Sequence, residues 1–238
     1  MSQIALTSEV GQLVAESPET ARIFERFGID YCCGGKMSLA KACARKGVDV
    51  VDVLEALEIS ERRTPTRESG LASSSLADLV DHIVEVHHAY LKEEMPRLHE
   101  IIEKVDRVHG DQHPELHEVI RTYADFRTDM EMHMGKEETV LFPMCKQLET
   151  TQTRPSFHCG TIENPIDVME AEHEAAGQAL AQMRRLTNDF TPPADACNTY
   201  RVMLDGLACL EADTHQHVHL ENNILFPRAV AREASLRA

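Results

Sequence analysis

The motif H-x-x-x-E-x-x-x-L-F-P occurs twice in the chain, at residues 133–143 and again at residues 217–227. A histidine and a glutamate four residues apart lie on one face of an α-helix, about 6 Å apart along its axis. The two copies are 84 residues apart, and an earlier pair of histidines, His88 and His173, is 85 residues apart. The spacing therefore predicts two similar helical hairpins, each with one histidine on its outgoing helix and the motif on its returning helix.

The rest of the sequence also favours helices. The chain has no tryptophan and few other aromatic residues, and its apolar residues recur at helical spacing rather than in strict alternation. Because two hairpins of this kind pack as a four-helix bundle, we predict an all-α fold with an up-down bundle. The four predicted helices span residues 76–110, 114–149, 165–190 and 194–233. Pro96, Pro143 and Pro227 fall inside them and are expected to kink them or to interrupt regular hydrogen bonding.

Residues 1–60 contain shorter helical segments and are predicted to form a small helical domain. Its helix start and end signals are Ser17-Pro18, Gly28, Ser38, Gly47 and Asp49. Residues 61–75 are polar and contain Pro, Gly and a serine cluster, which is typical of a linker. The bundle then occupies residues 76–238, beginning at the capping-box pattern Ser75-x-x-Asp78.

Charge and composition restrict the possible partners. The 40 acidic and 24 basic residues give a net charge of -16, which repels the phosphates of nucleic acids. No apolar run approaches the roughly 20 residues that span a membrane, and the first residues lack the features of a secretory signal. We therefore expect a cytoplasmic protein that binds neither nucleic acid nor membrane. The odd count of seven cysteines predicts free thiols rather than a disulfide framework.

The bundle is expected to bring the histidines and glutamates of the two hairpins together as a metal site. Four imidazoles and two carboxylates exceed what one tetrahedral zinc needs, and the set contains none of the thiolates of a structural zinc site. It suits two irons, with the glutamates bridging them and the histidines at each end. On the first helix either His87 or His88 could face inward, and the spacing does not separate them. We interpret seven other histidines as core or surface residues without a metal: His82, His99, His113, His117, His158, His215 and His219.

Several stretches of the chain resemble the Repair of Iron Centres family of hemerythrin-like di-iron proteins: FGIDYCCGG, HHAYLKEEMPRL, HMGKEETVLFP, VMEAEHEAAG and HLENNILFPRA. The resemblance covers nearly the whole chain and implies a hemerythrin-like bundle preceded by a small ScdA-type domain. It favours His88, which lies eight residues before Pro96 as in the family; Met95 replaces the usual leucine before that proline. The implied cofactor is a pair of iron ions with oxo and carboxylate bridges, bound by His88, His133, Glu137, His173, His217 and Glu221.

The resemblance also concerns residues around this site. His109 matches a family histidine, but it lies at a helix end, where at most an outer role is expected. In the family, acidic residues at the positions of Asp129 and Glu172 are thought to line an access path to the metal. Asp129 replaces the longer glutamate that is usual there.

The function implied by the resemblance is repair of iron–sulfur clusters and other iron centres damaged by nitric oxide or oxidative stress. Four histidines, one fewer than in oxygen-carrying hemerythrins, leave a coordination position for nitric oxide or dioxygen. Repair would use iron donation or nitric oxide reduction at the di-iron site; the alternative is a protein that sequesters these gases without turnover. An oxidase or iron store is disfavoured because such bundles use Glu-x-x-His spacing. The expected partners are damaged iron–sulfur proteins, an electron donor and, in a homodimer, a second copy of the chain.

Cys32 and Cys33 are adjacent and are followed by two glycines. We interpret them as a functional thiol pair, largely because of the family resemblance, that exchanges electrons, accepts a nitrosyl group or contacts a damaged cluster. The helix that begins after Ser38 is expected to lower the pKa of a thiol slightly through its positive end. The alternative is that both residues are small side chains packed in a tight turn.

Overall fold

The computed structural model describes residues 4–61 and 71–236. Within these ranges the secondary structure is helical, apart from one isolated bridge between Glu9 and Ser38. The prediction of an all-α fold is therefore confirmed. Most of the predicted linker, residues 62–70, lies outside the described residues, and the domain limits at 60 and 75 stay a prediction. None of the described helices combines the length and apolar character that crossing a bilayer requires.

Four short helices form the N-terminal lobe: α1 (Val10–Glu16), α2 (Ala21–Arg26), α3 (Leu39–Lys46) and α4 (Val50–Glu61). Gly28 and Gly47 follow α2 and α3 with φ of 65° and 69°, a left-handed conformation that glycine adopts without steric cost. The Asp49 carboxylate accepts a hydrogen bond from the Val51 N–H at 2.9 Å at the start of α4. These ends confirm the signals at Gly28, Gly47 and Asp49. Ser17 and Ser38 each precede a helical turn but make no side-chain cap hydrogen bond, and α1 was not predicted.

The four predicted long helices are present, and three of them are interrupted by a π-helical turn. In chain order they are α5 (Leu76–His82), π1 (Ile83–His88) and α6 (Ala89–His109); α7 (Leu116–Lys136), π2 (Glu137–Leu141) and α8 (Phe142–Thr150); α9 (Glu163–Leu186); and α10 (Asn198–Leu220), π3 (Glu221–Leu225) and α11 (Phe226–Ser235). The Ser75 hydroxyl accepts a hydrogen bond from the Asp78 N–H at 2.9 Å, so Ser75 caps α5 as predicted.

The chain divides into two compact units. The N-terminal unit comprises the chain up to Val80, residues Cys145–His158 and the chain from His215 onward; the middle unit comprises Asp81–Met144 and Cys159–Thr214. Each unit has a hydrophobic core of its own. The loop that carries Cys32 and Cys33, the thiol loop, lies in the N-terminal unit. His217 and Glu221 belong to the same unit, and the other proposed ligands belong to the middle unit.

Parts of four long helices build the middle unit. Buried Leu, Ile, Met, Val, Tyr and Phe side chains of α6, α7, α9 and α10 form one continuous core. Each such side chain contributes about 1.5–3 kcal/mol to stability when fully buried. This core can therefore offset the free-energy cost of burying polar groups in the same unit. Polar ties connect neighbouring helices: the Tyr123 hydroxyl donates to the Met95 carbonyl at 3.0 Å, and Arg184 donates to the buried Glu211 carboxylate at 2.9 Å.

The N-terminal unit combines the lobe with the C-terminal part of the chain. The lobe packs its apolar side chains around Phe24 and Leu39, both fully buried, and Val218 of α10 belongs to the same core. At the other end of this unit, the Arg232 guanidinium of α11 donates to the carbonyls of Leu148 at 3.0 Å and Thr151 at 2.8 Å. These contacts satisfy carbonyl groups at the end of α8, which have no partner within their own helix.

Candidate metal centre

The π turns lie where proposed ligands occur. In π2 the Phe142 N–H donates to the carbonyl of Glu137, five residues earlier, and in π3 the Phe226 N–H donates to the carbonyl of Glu221. The third turn, π1, ends at His88. π turns within α-helices are rare and occur frequently at functional sites, because they change the direction in which neighbouring side chains point.

The proline of each L-F-P motif explains where the π hydrogen bonding stops. After Phe142 the next donor would be the N–H of residue 143, but Pro143 has none; Pro227 follows Phe226 in the same way. The regular α-helix then resumes as α8 and α11. The prediction that these two prolines interrupt regular hydrogen bonding is confirmed, and the form of the interruption is a π turn. Pro96 lies inside α6.

Four proposed ligands converge in the middle unit. His88, His133, Glu137 and His173 are at most 2 % exposed. The Glu137 carboxylate lies between two imidazoles, with Oε2 3.3 Å from His88 Nε2 and Oε1 3.3 Å from His133 Nε2. His133 Nε2 lies 3.0 Å from His173 Nε2. One carboxylate and three imidazoles from four helical segments thus meet with their donor atoms facing one another.

Acidic side chains outside this group determine which nitrogens carry protons. His88 Nδ1 lies 2.7 Å from Glu138 Oε1, and His133 Nδ1 lies 2.9 Å from Glu172 Oε2. A carboxylate accepts hydrogen bonds, so the proton of each imidazole belongs on Nδ1 and the Nε2 lone pair points towards Glu137. Carboxylate–histidine pairs of this kind orient ligand histidines in metal sites.

Each of these outer carboxylates is also paired with a lysine. Lys92 Nζ lies 2.6 Å from Glu138, and Lys136 forms an ion pair with Glu172. Burial alone would raise the pKa of Glu138, but the hydrogen bonds from Lys92 and His88 outweigh it and lower the pKa. The pKa of Glu172 is lowered in the same way, against burial, by Lys136 and His133. Both side chains are therefore carboxylates at neutral pH, able to accept the imidazole proton.

The surroundings of Glu137 fit a bound cation. Among the described residues, neither of its buried carboxylate oxygens makes a hydrogen bond. The lone pairs of His88 Nε2 and His133 Nε2 face these oxygens, so negative and electron-rich groups oppose each other in a buried space. Burying a carboxylate in this way costs several kcal/mol unless a positive charge compensates it. A metal ion held by Glu137 and the imidazoles would supply that charge, and nitrogen and oxygen donors of this kind suit iron.

The N-terminal unit holds the second copy of the motif. His217 and Glu221 are fully buried, and His217 Nε2 lies 3.0 Å from Glu221 Oε1. The equivalent atoms of His133 and Glu137 are 3.3 Å apart. The two copies therefore share the same local arrangement, as the four-residue spacing predicts.

The remaining residues singled out in the sequence take separate positions. His87 is buried beside His88, but its Nδ1 contacts Asp213 Oδ1 at 2.9 Å, and His88 is the one that faces Glu137. His109 Nε2 lies 3.2 Å from Cys197 Sγ. Asp129 and Glu172 line a cleft of about 870 Å³ in the middle unit. His133 also lines this cleft, which therefore reaches a proposed ligand.

The sequence interpretation missed the outer carboxylate Glu138 and the two lysines. A weak signal was available, because Glu138 directly follows a motif glutamate and Lys136 directly precedes it. On an exposed helix these residues would be ordinary surface charges. Their role depends on the neighbouring helix that each side chain reaches, and sequence spacing alone does not define that neighbour.

Asp30 organises the thiol loop. Its Oδ1 accepts hydrogen bonds from the N–H groups of Cys32 at 3.1 Å and Cys33 at 3.0 Å, and its Oδ2 accepts one from Gly34 at 3.0 Å. Aspartate side chains commonly fold a following turn in this way. The two sulfur atoms are 3.8 Å apart; Cys32 is buried and Cys33 is partly exposed.

The acidity of Cys32 differs from the sequence expectation. Its hydrogen bond with Cys33, followed by burial, raises the pKa of the Cys32 thiol well above its ordinary value. The expectation that the helix after Ser38 lowers a thiol pKa is therefore wrong for Cys32. A protonated Cys32 can donate a hydrogen bond to Cys33. Cys33 is the more accessible sulfur of the pair, because Cys32 is buried and Cys33 is partly exposed.

Two known protein families match the sequence of this chain, one in the N-terminal lobe and one in the region of the long helices. The hemerythrin HHE cation binding domain matches residues 79–229, and the ScdA_N domain, described as a domain of unknown function, matches residues 6–61. The first match covers more than half of the chain and includes every proposed metal ligand. The chain belongs to the hemerythrin HHE cation-binding family.

Full-length relatives indicate which members of this family the chain is similar to. The chain is 40% identical over 225 residues to proteins named iron-sulfur cluster repair protein YtfE from Escherichia coli O81 (strain ED1a) and Escherichia fergusonii. The aligned region covers 94% of this chain and 97% of each relative. The resemblance inferred from the sequence motifs is confirmed.

Proposed function

We propose that the protein binds two iron ions and repairs iron–sulfur clusters damaged by nitric oxide or oxidative stress. The proposed ligands are the four residues of the middle unit and the motif pair of the N-terminal unit: His88, His133, Glu137, His173, His217 and Glu221. When bound, paired irons supply a site for a diatomic ligand and a change of oxidation state. The name of the curated relatives supports repair as the purpose of that chemistry.

The buried Glu137 carboxylate carries the metal assignment. Its oxygens lie 3.3 Å from Nε2 of His88 and from Nε2 of His133, an arrangement that a bound cation would stabilise. The outer carboxylates Glu138 and Glu172 keep those imidazoles in the ligand-competent tautomer. The protein thus holds deprotonated donors ready for a cation.

The cleft beside His133 supports exchange of metal with the surroundings. Asp129 and Glu172 bring carboxylates to it, which attract a divalent cation, as their positions in the family imply. The ion pair between Lys136 and Glu172 lies on the same cleft. A route of this kind suits a protein that donates iron, because the metal must leave without unfolding the bundle.

Substitution of Glu137 by Gln tests the metal site. Glu137→Gln preserves the size of the side chain and removes its charge, so we expect loss of the spin-coupled iron pair from protein isolated from iron-replete cells. Mössbauer spectroscopy and iron analysis measure this. Glu131→Gln is the matched control, since Glu131 is an exposed residue of α7 paired with Arg127 at 2.7 Å. Retention of the iron pair by Glu137→Gln would refute the assignment.

Nitric oxide added to the reduced, anaerobic protein separates repair from gas sequestration. Reduction of two nitric oxide molecules by two electrons and two protons gives nitrous oxide and water. Nitrous oxide release, or restored activity of a nitric-oxide-damaged iron–sulfur enzyme, supports repair. A stable stoichiometric nitrosyl complex with no gas product and no restored activity supports sequestration instead.

Cys32 and Cys33 are proposed to act in repair as the adjacent thiol pair of the lobe. Their sulfur atoms are 3.8 Å apart, and Cys33 is accessible. Replacing both by serine should lower the rate at which the damaged enzyme recovers while the iron content stays unchanged. Undiminished recovery would instead assign them to packing of the turn.

A further inference from the structure

Asn223 of π3 reaches into the N-terminal lobe between two glycines. A Cβ atom built on Gly11 would lie 2.5 Å from Asn223 Oδ1, and one built on Gly35 would lie closer still. Real Cβ atoms do not approach other atoms so closely, so glycine at both positions is what allows the amide to enter. Gly35 is the last residue of the FGIDYCCGG stretch, and this contact explains why a glycine is needed there.

The amide nitrogen of Asn223 holds the thiol loop itself. Nδ2 donates to the carbonyl of Cys32 at 3.0 Å and reaches that of Tyr31 at 3.3 Å. The Gly11 N–H donates to the Gly35 carbonyl at 2.9 Å, which joins α1 to the same loop. One side chain of the fourth helix therefore fixes the backbone on which both cysteines stand.

Tyr31 provides a second contact between the lobe and the fourth helix. Its side chain is buried, and its ring lies edge-on to that of His219, with centroids 5.5 Å apart. His219 is midway between the motif residues His217 and Glu221 in the sequence. The lobe thus contacts the same helical stretch that carries the second copy of the motif.

We propose that Asn223 is a positioning residue that couples metal binding at Glu221 to the reactivity of the Cys32–Cys33 loop. This inference rests on the proposed function. Asn223 follows Glu221 by two residues on the same π turn, which is closed by the hydrogen bond from Phe226 to the Glu221 carbonyl. Metal binding fixes Glu221, the turn fixes Asn223, and Asn223 fixes the loop carbonyls. Because coupling between two sites is reciprocal in binding free energy, a change at Cys33 that disturbs the loop carbonyls also weakens metal binding.

Thiol labelling with and without metal tests the coupling. Full-length wild type and Asn223→Ala are treated anaerobically with iodoacetamide, with and without ferrous iron, and labelling of Cys33 is followed by mass spectrometry. We expect bound iron to slow labelling of the wild type by about fivefold or more, within the usual range of coupling between sites. In Asn223→Ala, iron still binds but the ratio falls to about one. Asn198→Ala, at an exposed asparagine that begins α10, should behave as the wild type.

A double-mutant cycle tests the contact by thermal unfolding. Gly11→Ala should lower the midpoint in the wild type, because the new methyl group overlaps the Asn223 amide. In the Asn223→Ala background the same change should lower the midpoint by less, because the overlap with the amide is gone and only the close approach to Gly35 Cα, at 3.0 Å, remains. If Asn223→Ala does not fold, Gly11→Ala disturbs the same contact from the lobe side, and loss of the iron effect on labelling is measured there.

Iron content is measured on the same samples. Bound iron that slows labelling equally in wild type and Asn223→Ala, or that does not slow it in the wild type, overturns the coupling and leaves the proposed function intact. A wild type that binds no iron overturns the proposed function, and this inference with it.

Discussion

Glu138 and Glu172 perform the same task on two different helices. Each lies between a lysine and the Nδ1 atom of a proposed ligand histidine, at 2.7 Å from His88 and 2.9 Å from His133 respectively. Histidine and glutamate at the motif spacing were predictable, because helix geometry alone places residues four apart on one face. The outer carboxylates were not, because their partners belong to other helices.

Removal of the negative charge of Glu138 or Glu172 should weaken metal binding, although neither residue is a proposed ligand. Glu138→Gln and Glu172→Gln leave a weaker acceptor at Nδ1, so we expect ferrous iron affinity to fall by about 10- to 100-fold in each. Competition with a chelator of known affinity measures this. Glu131→Gln should keep the wild-type affinity, and unchanged binding in both outer variants would contradict the role assigned to them.

Cys197 is an exposed thiol at the start of α10. Hydrogen bonds from the backbone of Tyr200 and from His109 lower the pKa of Cys197 to about 7. Its thiolate fraction should therefore reach about one half near neutral pH, whereas an ordinary cysteine with a pKa of about 8.5 is mostly protonated there. Alkylation followed by mass spectrometry between about pH 5.5 and 9 measures the midpoint. His109→Gln should shift that midpoint upward, and a midpoint equal to that of a denatured control would contradict the prediction.

At the scale of the elements, the helices were predicted more completely than their interruptions. Helix ends at Gly28 and Gly47 follow from local conformational preferences, and the four long helices follow from apolar spacing. The π turns depend on a competition between two hydrogen-bonding patterns that differ little in sequence. The prolines indicated where regular hydrogen bonding is interrupted. They did not indicate whether α or π hydrogen bonding forms before them.

Replacing the motif prolines should separate helix stability from metal binding. Pro143→Ala and Pro227→Ala restore a backbone donor, which lets π2 or π3 relax towards regular α-helix and turns Glu137 or Glu221 away from its position. We expect an unchanged or higher unfolding midpoint for the metal-free protein together with a lower iron content.

Pro96→Ala is the matched control, because Pro96 lies inside α6, eight residues beyond the end of π1. It should change stability without loss of iron. The explanation would fail if both motif variants kept the wild-type iron content.

At the scale of the whole molecule, the net charge of -16 acts on both folding and metal uptake. Self-repulsion destabilises a compact chain, while a negative field raises the local concentration of cations. Salt screens both effects, so it should stabilise the fold and slow the uptake of cations.

Raising the salt concentration from about 10 mM to about 150 mM shortens the screening length from roughly 30 Å to 8 Å. We expect the unfolding midpoint of the metal-free protein to rise and the rate of ferrous iron uptake, followed by stopped flow, to fall. A nonionic osmolyte at equal osmolality should leave the uptake rate unchanged. Uptake that is independent of salt would show that the overall field does not guide the cation.

The two π turns π2 and π3 match in position. A π turn closes over one residue more than an α turn, and in both motif copies it begins at the glutamate and is closed by the phenylalanine before the proline. The two glutamates are therefore presented by the same local backbone, so a substitution that one turn tolerates should also be tolerated at the equivalent place in the other.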